Sequence, residues 1–210
     1  MTKTTGCLFI ISAPSGAGKT SLVRTLLQSD LDLSLSISHT TRPPRSEEVN
    51  GRDYHFVSEE TFRQMLAGGE FLENAEVYGN LYGTSQKWIN EAMASGQDIM
   101  LEIDCQGAKQ VQQIFPQSIG IFILPPSADA LATRLKTRAQ DNAEVIRERL
   151  AAAREEVSHI SEFDYVIINN KLEDALSDLV CIIKAERLKK ERQLAKHHSL
   201  ITELSVPASR

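Results

Sequence analysis

The chain has 210 residues, 41% of them hydrophobic and 6% aromatic, enough for one sizeable core and too few for two independent ones. A formal charge of −5 speaks against nucleic-acid binding through a broad basic surface, so phosphate chemistry must rest on local clusters of cationic side chains. Three scattered cysteines without disulfide or metal-ligand spacing, and no apolar run long enough to span a bilayer, fit a cytoplasmic protein with no membrane partner.

The run Cys7-Leu8-Phe9-Ile10-Ile11-Ser12 predicts a buried central strand. It is followed at once by Ala13-Pro14-Ser15-Gly16-Ala17-Gly18-Lys19-Thr20, small residues turning into a helix over 19–28. That is the setting of a phosphate-binding loop, in which backbone N–H groups surround phosphate oxygens at a helix N-terminus. Lys19 reaches the outer phosphates and the Thr20 hydroxyl ligates Mg²⁺. Ala13 stands where such loops usually open with glycine. The plain alternative is a glycine-rich turn at a strand end with a solvated lysine.

Leu22, Val23, Leu26 and Leu27 give the helix one apolar face. Residues 31–38 alternate apolar and polar, predicting a half-buried strand. The next segment, His39-Thr40-Thr41-Arg42-Pro43-Pro44-Arg45, is held extended by its prolines and carries two guanidinium groups suited to a second phosphate. Residues 49–56 read as a turn and strand with Asn50-Gly51 as a hairpin signal. Ser58 can cap a short helix ending near Gly68-Gly69, and 70–77 read as a strand leading into a loop over 78–84. Together these pieces predict a small mixed α+β insertion.

A helix over 85–94 and a strand over 98–104 follow, the strand presenting Glu102 and Asp104. Acids at such a strand end can steady the water shell of a magnesium ion; they also cap helices. A helix over 107–115 precedes a buried strand over 118–124, stopped by Pro125-Pro126. Residues 131–154 are helical in pattern, broken over 138–142, and carry Arg134, Arg138, Arg147, Arg149 and Arg154, a pair able to fold over a polyphosphate. A last strand over 165–168 leads to a helix over 172–196, with Asn170 and Glu173 as its start signal and a polar stretch beyond 189. Alternating strands and helices predict an α/β fold, a parallel sheet covered on both faces with the site at its carboxyl edge.

The motifs over 12–19, 38–45, 48–54, 70–73 and 82–84, in this order, resemble those of bacterial-type guanylate kinases, P-loop nucleoside monophosphate kinases. The resemblance runs over 5–184. It implies a core of 5–37, 85–125 and 155–184, a GMP-binding insertion of 38–84, a helical lid of 126–154, and a C-terminal helix and polar tail of 185–210. It also implies transfer of the γ-phosphoryl group of ATP to GMP with Mg²⁺, in purine nucleotide metabolism, with these two nucleotides as the small-molecule partners and homo-oligomerisation left open. Carried over by position, ATP would meet Ser12, Ala13, Pro14, Ser15, Gly16, Ala17, Gly18, Lys19, Thr20, Arg134, Arg138 and Asn169. Ser38, Arg42, Arg45, Tyr54 and Tyr82 would hold the GMP phosphate, and Glu73 and Thr84, with Glu102 or Asp104, would read the guanine. Lys19, Arg42, Arg138 and Arg149 would be catalytic; Thr20 would bind Mg²⁺ directly and Asp104 through water. Ser46-Glu47 and Ala139 depart from the family's usual residues.

Chemistry independent of the resemblance fits the same assignment. Guanine offers N1–H and N2–H₂ donors beside its O6 acceptor, which a carboxylate and a hydroxyl complement; adenine would set a lone pair against the carboxylate. The attacking phosphate is largely dianionic at neutral pH, its second pKa being about 6, so alignment and charge suffice without a general base. Two other classes stay open: a kinase for another monophosphate or a phosphorylated sugar, and a non-catalytic interaction module on the same fold.

Overall fold

The computed structural model describes residues 5–29, 32–138 and 143–205, and of 137, 138 and 143–149 the backbone alone. Leu8–Ser12 forms strand β1, five buried residues in a row, and Lys19–Gln28 forms helix α1. Leu33–Leu35 (β2), His39–Thr40 (β3) and His55–Phe56 (β4) are short; Glu59–Ala67 (α2) is followed by the longer strands Phe71–Val77 (β5) and Asn80–Ser85 (β6). Then come Gln86–Ala94 (α3), Asp98–Glu102 (β7), Cys105–Ile114 (α4) and Ile119–Leu124 (β8). Ala128–Arg138 (α5), Ala143–Ser158 (α6), Tyr165–Ile168 (β9), Leu172–Arg187 (α7), Lys190–Lys196 (α8) and His198–Ser205 (α9) complete the described chain.

Five strands make one parallel sheet in the order β2-β7-β1-β8-β9. Because side chains alternate along a strand, β1 feeds two cores. Phe9 and Ile11 pack with Leu22, Val23 and Leu26 of α1 and with Ala175, Leu179 and Ile183 of α7. Leu8 and Ile10 pack on the other face with Ile89 of α3 and Ala108 and Val111 of α4. Each large apolar side chain removed from water contributes roughly 1.5–3 kcal/mol, so β1 is fixed from both faces. Its neighbours are β7 and β8, so the turns leaving β1 and β7 lie side by side at the carboxyl edge, where Ile103 N donates to Ile11 O at 3.3 Å.

A second, four-stranded sheet has the order β4-β3-β6-β5, with β3 and β4 parallel and the other pairs antiparallel. Three expectations are corrected here. The segment read as a loop over 78–84 is mostly strand β6: Tyr78 (φ 49°) and Gly79 (φ 71°) form a two-residue turn, and Asn80–Ser85 folds back along β5. Positive φ at both central positions matches the right-handed twist of the paired strands. Asn50-Gly51 makes a turn but no hairpin. Gly51 has φ 78° and its N–H meets Tyr54 O, yet the following strand pairs in parallel with β3, because the prolines upstream leave no strand to fold back on. The strand expected over 31–38 is only Leu33–Leu35, since the chain leaves the main sheet there to enter the second; Leu31 lies outside the described residues.

Two helices also differ. The one expected over 107–115 starts at Cys105 because the Asp104 carboxylate accepts the Gly107 N–H at 2.8 Å and caps it. The one expected over 172–196 is two, α7 and α8. Its N-cap is Lys171, without the side-chain capping read from Asn170 and Glu173, and the break falls where Lys189 turns back to pair with buried Glu186 at 2.8 Å. The break expected at 138–142 falls largely on residues outside the described set, as does Ala139.

Candidate active site

The turn between β1 and α1 is built for close approach. Gly16 and Gly18 have φ of 88° and 94°, a region that favours glycine, and a Cβ on Gly18 would stand 2.4 Å from the Asn169 side-chain nitrogen. Ala13 lies outside the left-handed region, so its backbone does not require glycine. The loop is held from behind: Asn169 Nδ2 donates to Ala17 O at 2.9 Å, and Arg134 bridges Ala17 O (3.1 Å) and Asn169 O (2.9 Å). Arg134 and Asn169 therefore brace the loop's rear.

On the open side, Lys19 Nζ donates to Ile103 O at 2.9 Å, and Thr20 Oγ1 donates to Glu102 Oε1 at 2.6 Å. Glu102 thus stands beside the loop threonine, while Asp104 caps α4. Sequence alone missed Glu156, on α6: its Oε2 accepts the Ser15 N–H at 3.3 Å, putting a carboxylate at an amide suited to a phosphate oxygen. Burial pushes the Glu156 carboxyl above its usual range, and the Ser15 bond and Lys19 oppose that rise.

Across the cleft lies a second basic cluster. Arg42 Nη2 meets both carboxylate oxygens of Glu48 at 2.8 and 2.9 Å, and its Nη1 donates to Pro43 O at 2.8 Å. The guanidinium carbon also sits 5.5 Å from the centre of the Tyr54 ring. Glu48 further accepts the Arg45 N–H at 2.8 Å, while the Arg45 side chain is 68% exposed. Burial alone would raise the Glu48 carboxyl, but the bonds from Arg42 and Arg45 outweigh it and hold the group below its usual range. Glu48, which opens the 48–54 motif but is given no role by the sequence reading, is the internal counter-ion of this cluster. Burial, and secondarily Glu102, pushes the Tyr54 phenol up to about 12, so it is protonated at neutral pH.

Between the clusters sits a buried polar pair. Glu73 on β5 is 3% exposed and Thr84 on β6 is fully buried; Thr84 Oγ1 donates to Glu73 Oε1 at 2.5 Å, with Ser38 Oγ 3.4 Å from Thr84 Oγ1. Burial pushes the Glu73 carboxyl up to about 7, against the pull of the Thr84 bond.

One cleft of about 250 Å³ joins these parts. Its walls include Ala13, Pro14, Ser15, Gly16, Gly18, Lys19 and Thr20 from the loop, Ser38, Arg45, Tyr54, Glu73 and Tyr82 from the second sheet, and Glu102, Asp104 and Glu156. Ser12, Ala17 and Thr84 are buried, whereas Arg42 is drawn to Glu48. The side chains of Arg138 and Arg149 lie outside the described residues. No cluster of three or more His, Cys, Asp or Glu side chains able to hold a metal occurs among the described residues. The adjacent Thr20 hydroxyl and Glu102 carboxylate nevertheless fit Mg²⁺, which keeps several waters and takes few protein oxygens beside substrate phosphates. Among the described residues no helix is long and apolar enough to cross a membrane.

Comparison with known proteins agrees with this geometry. The family model described as guanylate kinase matches residues 5–186. The guanylate kinase of Nitrosospira multiformis is 63% identical over 98% of both chains, and that of Nitrosomonas europaea 62% identical over 95% of this chain and 99% of its own. The crystal structure of guanylate kinase from Anaplasma phagocytophilum superposes with a TM-score of 0.79 at 32% identity, covering 98% of each chain.

Proposed function

The chain belongs to the guanylate kinase family, and from that premise we infer that it transfers the γ-phosphoryl group of ATP to GMP, giving ADP and GDP. The observation that carries the reading is the single cleft in which a phosphate loop faces a second arginine and tyrosine cluster, with the buried Glu73–Thr84 pair beside it. Two anionic nucleotides and one purine edge account for the loop, the basic cluster and the buried pair.

The Lys19 ammonium, resting on Ile103 O in the free protein, is the group to move onto the outer phosphates of ATP, while the loop amides take the remaining oxygens. Arg42 exchanges Glu48 for the GMP phosphate, which Arg45, Ser38, Tyr54 and Tyr82 also bind. Glu73, ionised, accepts N1–H and N2–H of guanine, and Thr84 fixes its orientation. The phosphate dianion of GMP attacks the γ-phosphorus as the bond to the bridging oxygen of ADP breaks, and no side chain needs to take a proton. Arg138 and Arg149, on the two helices that follow β8, are the cations assigned to the transferring group on closure, with exclusion of water as the second benefit.

Thr20, with Glu102 beside it, would hold Mg²⁺ and Asp104 would steady its water shell; when bound, the ion would neutralise charge on the outer phosphates. Asn169 and Arg134 serve ATP through the loop they brace. The free, buried thiols of Cys7 and Cys105 suit a reducing cytoplasm, where both substrates are held.

Incubation with GMP and ATP labelled at the γ-phosphate tests the reading. Label recovered in the β-phosphate of GDP is the expected result; label released only as inorganic phosphate would contradict it.

A further inference from the structure

Helix α4 belongs to the main sheet's cover, yet its first turns touch the strand that carries Glu73. An ideal Cβ on Gly107 would lie 2.4 Å from Glu73 Oε2 and 3.1 Å from its carboxyl carbon. The carboxylate thus rests against a backbone surface that only glycine leaves open. Three residues on, and so on the same face of the helix, Gln110 forms two bonds to the backbone of Asn74, the residue after Glu73. Its Oε1 accepts the Asn74 N–H at 3.1 Å, and its Nε2 donates to Asn74 O at 2.8 Å.

This contact has a topological reason. β5 is an edge of the second sheet, with β6 on one side only, so the groups of Asn74 that point away from β6 need other partners. The Gln110 amide supplies one donor and one acceptor, as a neighbouring strand would. It also ties the second sheet to the helix whose N-cap, Asp104, lines the same cleft. The carboxylate is therefore located three ways: by Thr84 at one oxygen, by the open face of Gly107 at the other, and by Gln110 through the backbone.

We propose that Gly107 and Gln110 are specificity-determining positioning residues, which set where the Glu73 carboxylate stands and hence how strongly the enzyme prefers a purine bearing a 2-amino group. The proposal rests on the reading that Glu73 contacts the base. A hydrogen-bonded pair discriminates only when its atoms are held in place, and displacement of about 1 Å is enough to weaken it. Added bulk at Gly107 meets the end of a side chain rather than backbone, so the carboxylate moves while the fold is kept.

The test compares kcat/KM for GMP with that for inosine monophosphate, which lacks the 2-amino group, in the whole protein and in Gly107→Ala, Gln110→Ala and Glu73→Gln. The expected result is a fall of fivefold or more in the GMP preference for both Gly107→Ala and Gln110→Ala, carried by KM for the monophosphate, with KM for ATP within twofold of the parent. On a Glu73→Gln background, Gly107→Ala should change the preference by less than twofold. If Glu73→Gln lowers the preference but Gly107→Ala and Gln110→Ala both leave it intact, the positioning role is overturned and the reading of Glu73 stands. If Glu73→Gln itself leaves the preference intact, that underlying reading fails. Should Gly107→Ala not fold, Gln110→Ala decides alone, because it removes two bonds and adds no bulk.

Discussion

The Thr84 hydroxyl and the Glu73 carboxylate meet at 2.5 Å in a site from which solvent is almost wholly excluded. Burying a carboxylate there carries a desolvation cost, which the donors of a bound guanine would offset under the proposed reading. Burial pushes it up to about 7, which brings its ionisation close to neutral pH.

The pH dependence follows from that position. Only the ionised acid accepts both guanine donors, so KM for GMP should rise as pH falls below about 7, and Glu73→Gln should flatten this rise. In the same variant kcat/KM for GMP should drop about 100-fold or more, since the amide sets a donor against a donor. Steady-state kinetics between pH 5.5 and 8.5, with the titration of the GMP phosphate common to both proteins, checks it.

Stability should move the other way. The folded protein keeps the Glu73 proton to about 7, while the unfolded chain releases it near the ordinary glutamate value of about 4.5. Between these values the folded state binds more protons, so stability falls as pH rises and the full penalty is present above about 7. Glu73→Gln should therefore stabilise the free protein by about 1–3 kcal/mol at pH 8 and by nearly nothing at pH 4. Thermal unfolding at the two pH values checks the sign.

Arg42 is held by both oxygens of Glu48. Arg42→Ala should lower kcat/KM for GMP by about 1,000-fold or more while ATP affinity stays within twofold, because the partner proposed for this cation is a phosphate of GMP and not of ATP. Calorimetry with ATP alone, beside kinetics with GMP, separates the two.

Glu156 puts a negative oxygen at the Ser15 amide. Glu156→Gln should tighten ATP binding about two- to tenfold by removing a charge that competes with phosphate, an effect that shrinks in high salt. ATP titrations at low and high ionic strength read both parts.

The bond between Thr20 and Glu102 makes a prediction about metal. A chelator should abolish turnover, and Glu102→Gln should raise the Mg²⁺ concentration needed for half-maximal rate about tenfold, with Asp104→Asn showing the smaller shift. Magnesium titrations at fixed nucleotide concentrations measure it.

The phosphate loop was legible because its signal is local: an apolar run, small residues, then Gly18-Lys19-Thr20. The Glu73–Thr84 pair came from resemblance and base chemistry, and the β5–β6 register then set the two residues opposite each other. The Tyr78-Gly79 turn was missed because tyrosine rarely takes positive φ, whereas Asn50-Gly51 carried the hairpin signal without a strand to use it. Glu102 and Asp104 could not be told apart two residues from each other at a strand end. Glu102 is still in β7 and turns to Thr20, while Asp104 has left the strand and caps α4. Glu48 opens the 48–54 motif, but its pairing with Arg42 depends on how the loop folds, and Glu156 arrives on a distant helix, which no local spacing encodes.

The central claim, that this cleft passes a phosphoryl group from ATP to a guanine nucleotide, is most directly tested by ADP formation from ATP with each of GMP, AMP, UMP and dTMP in the presence of Mg²⁺. Rapid turnover with GMP and at least 100-fold lower kcat/KM for the other three is the predicted result; comparable turnover of AMP or of a pyrimidine nucleotide, or none with GMP, would contradict it.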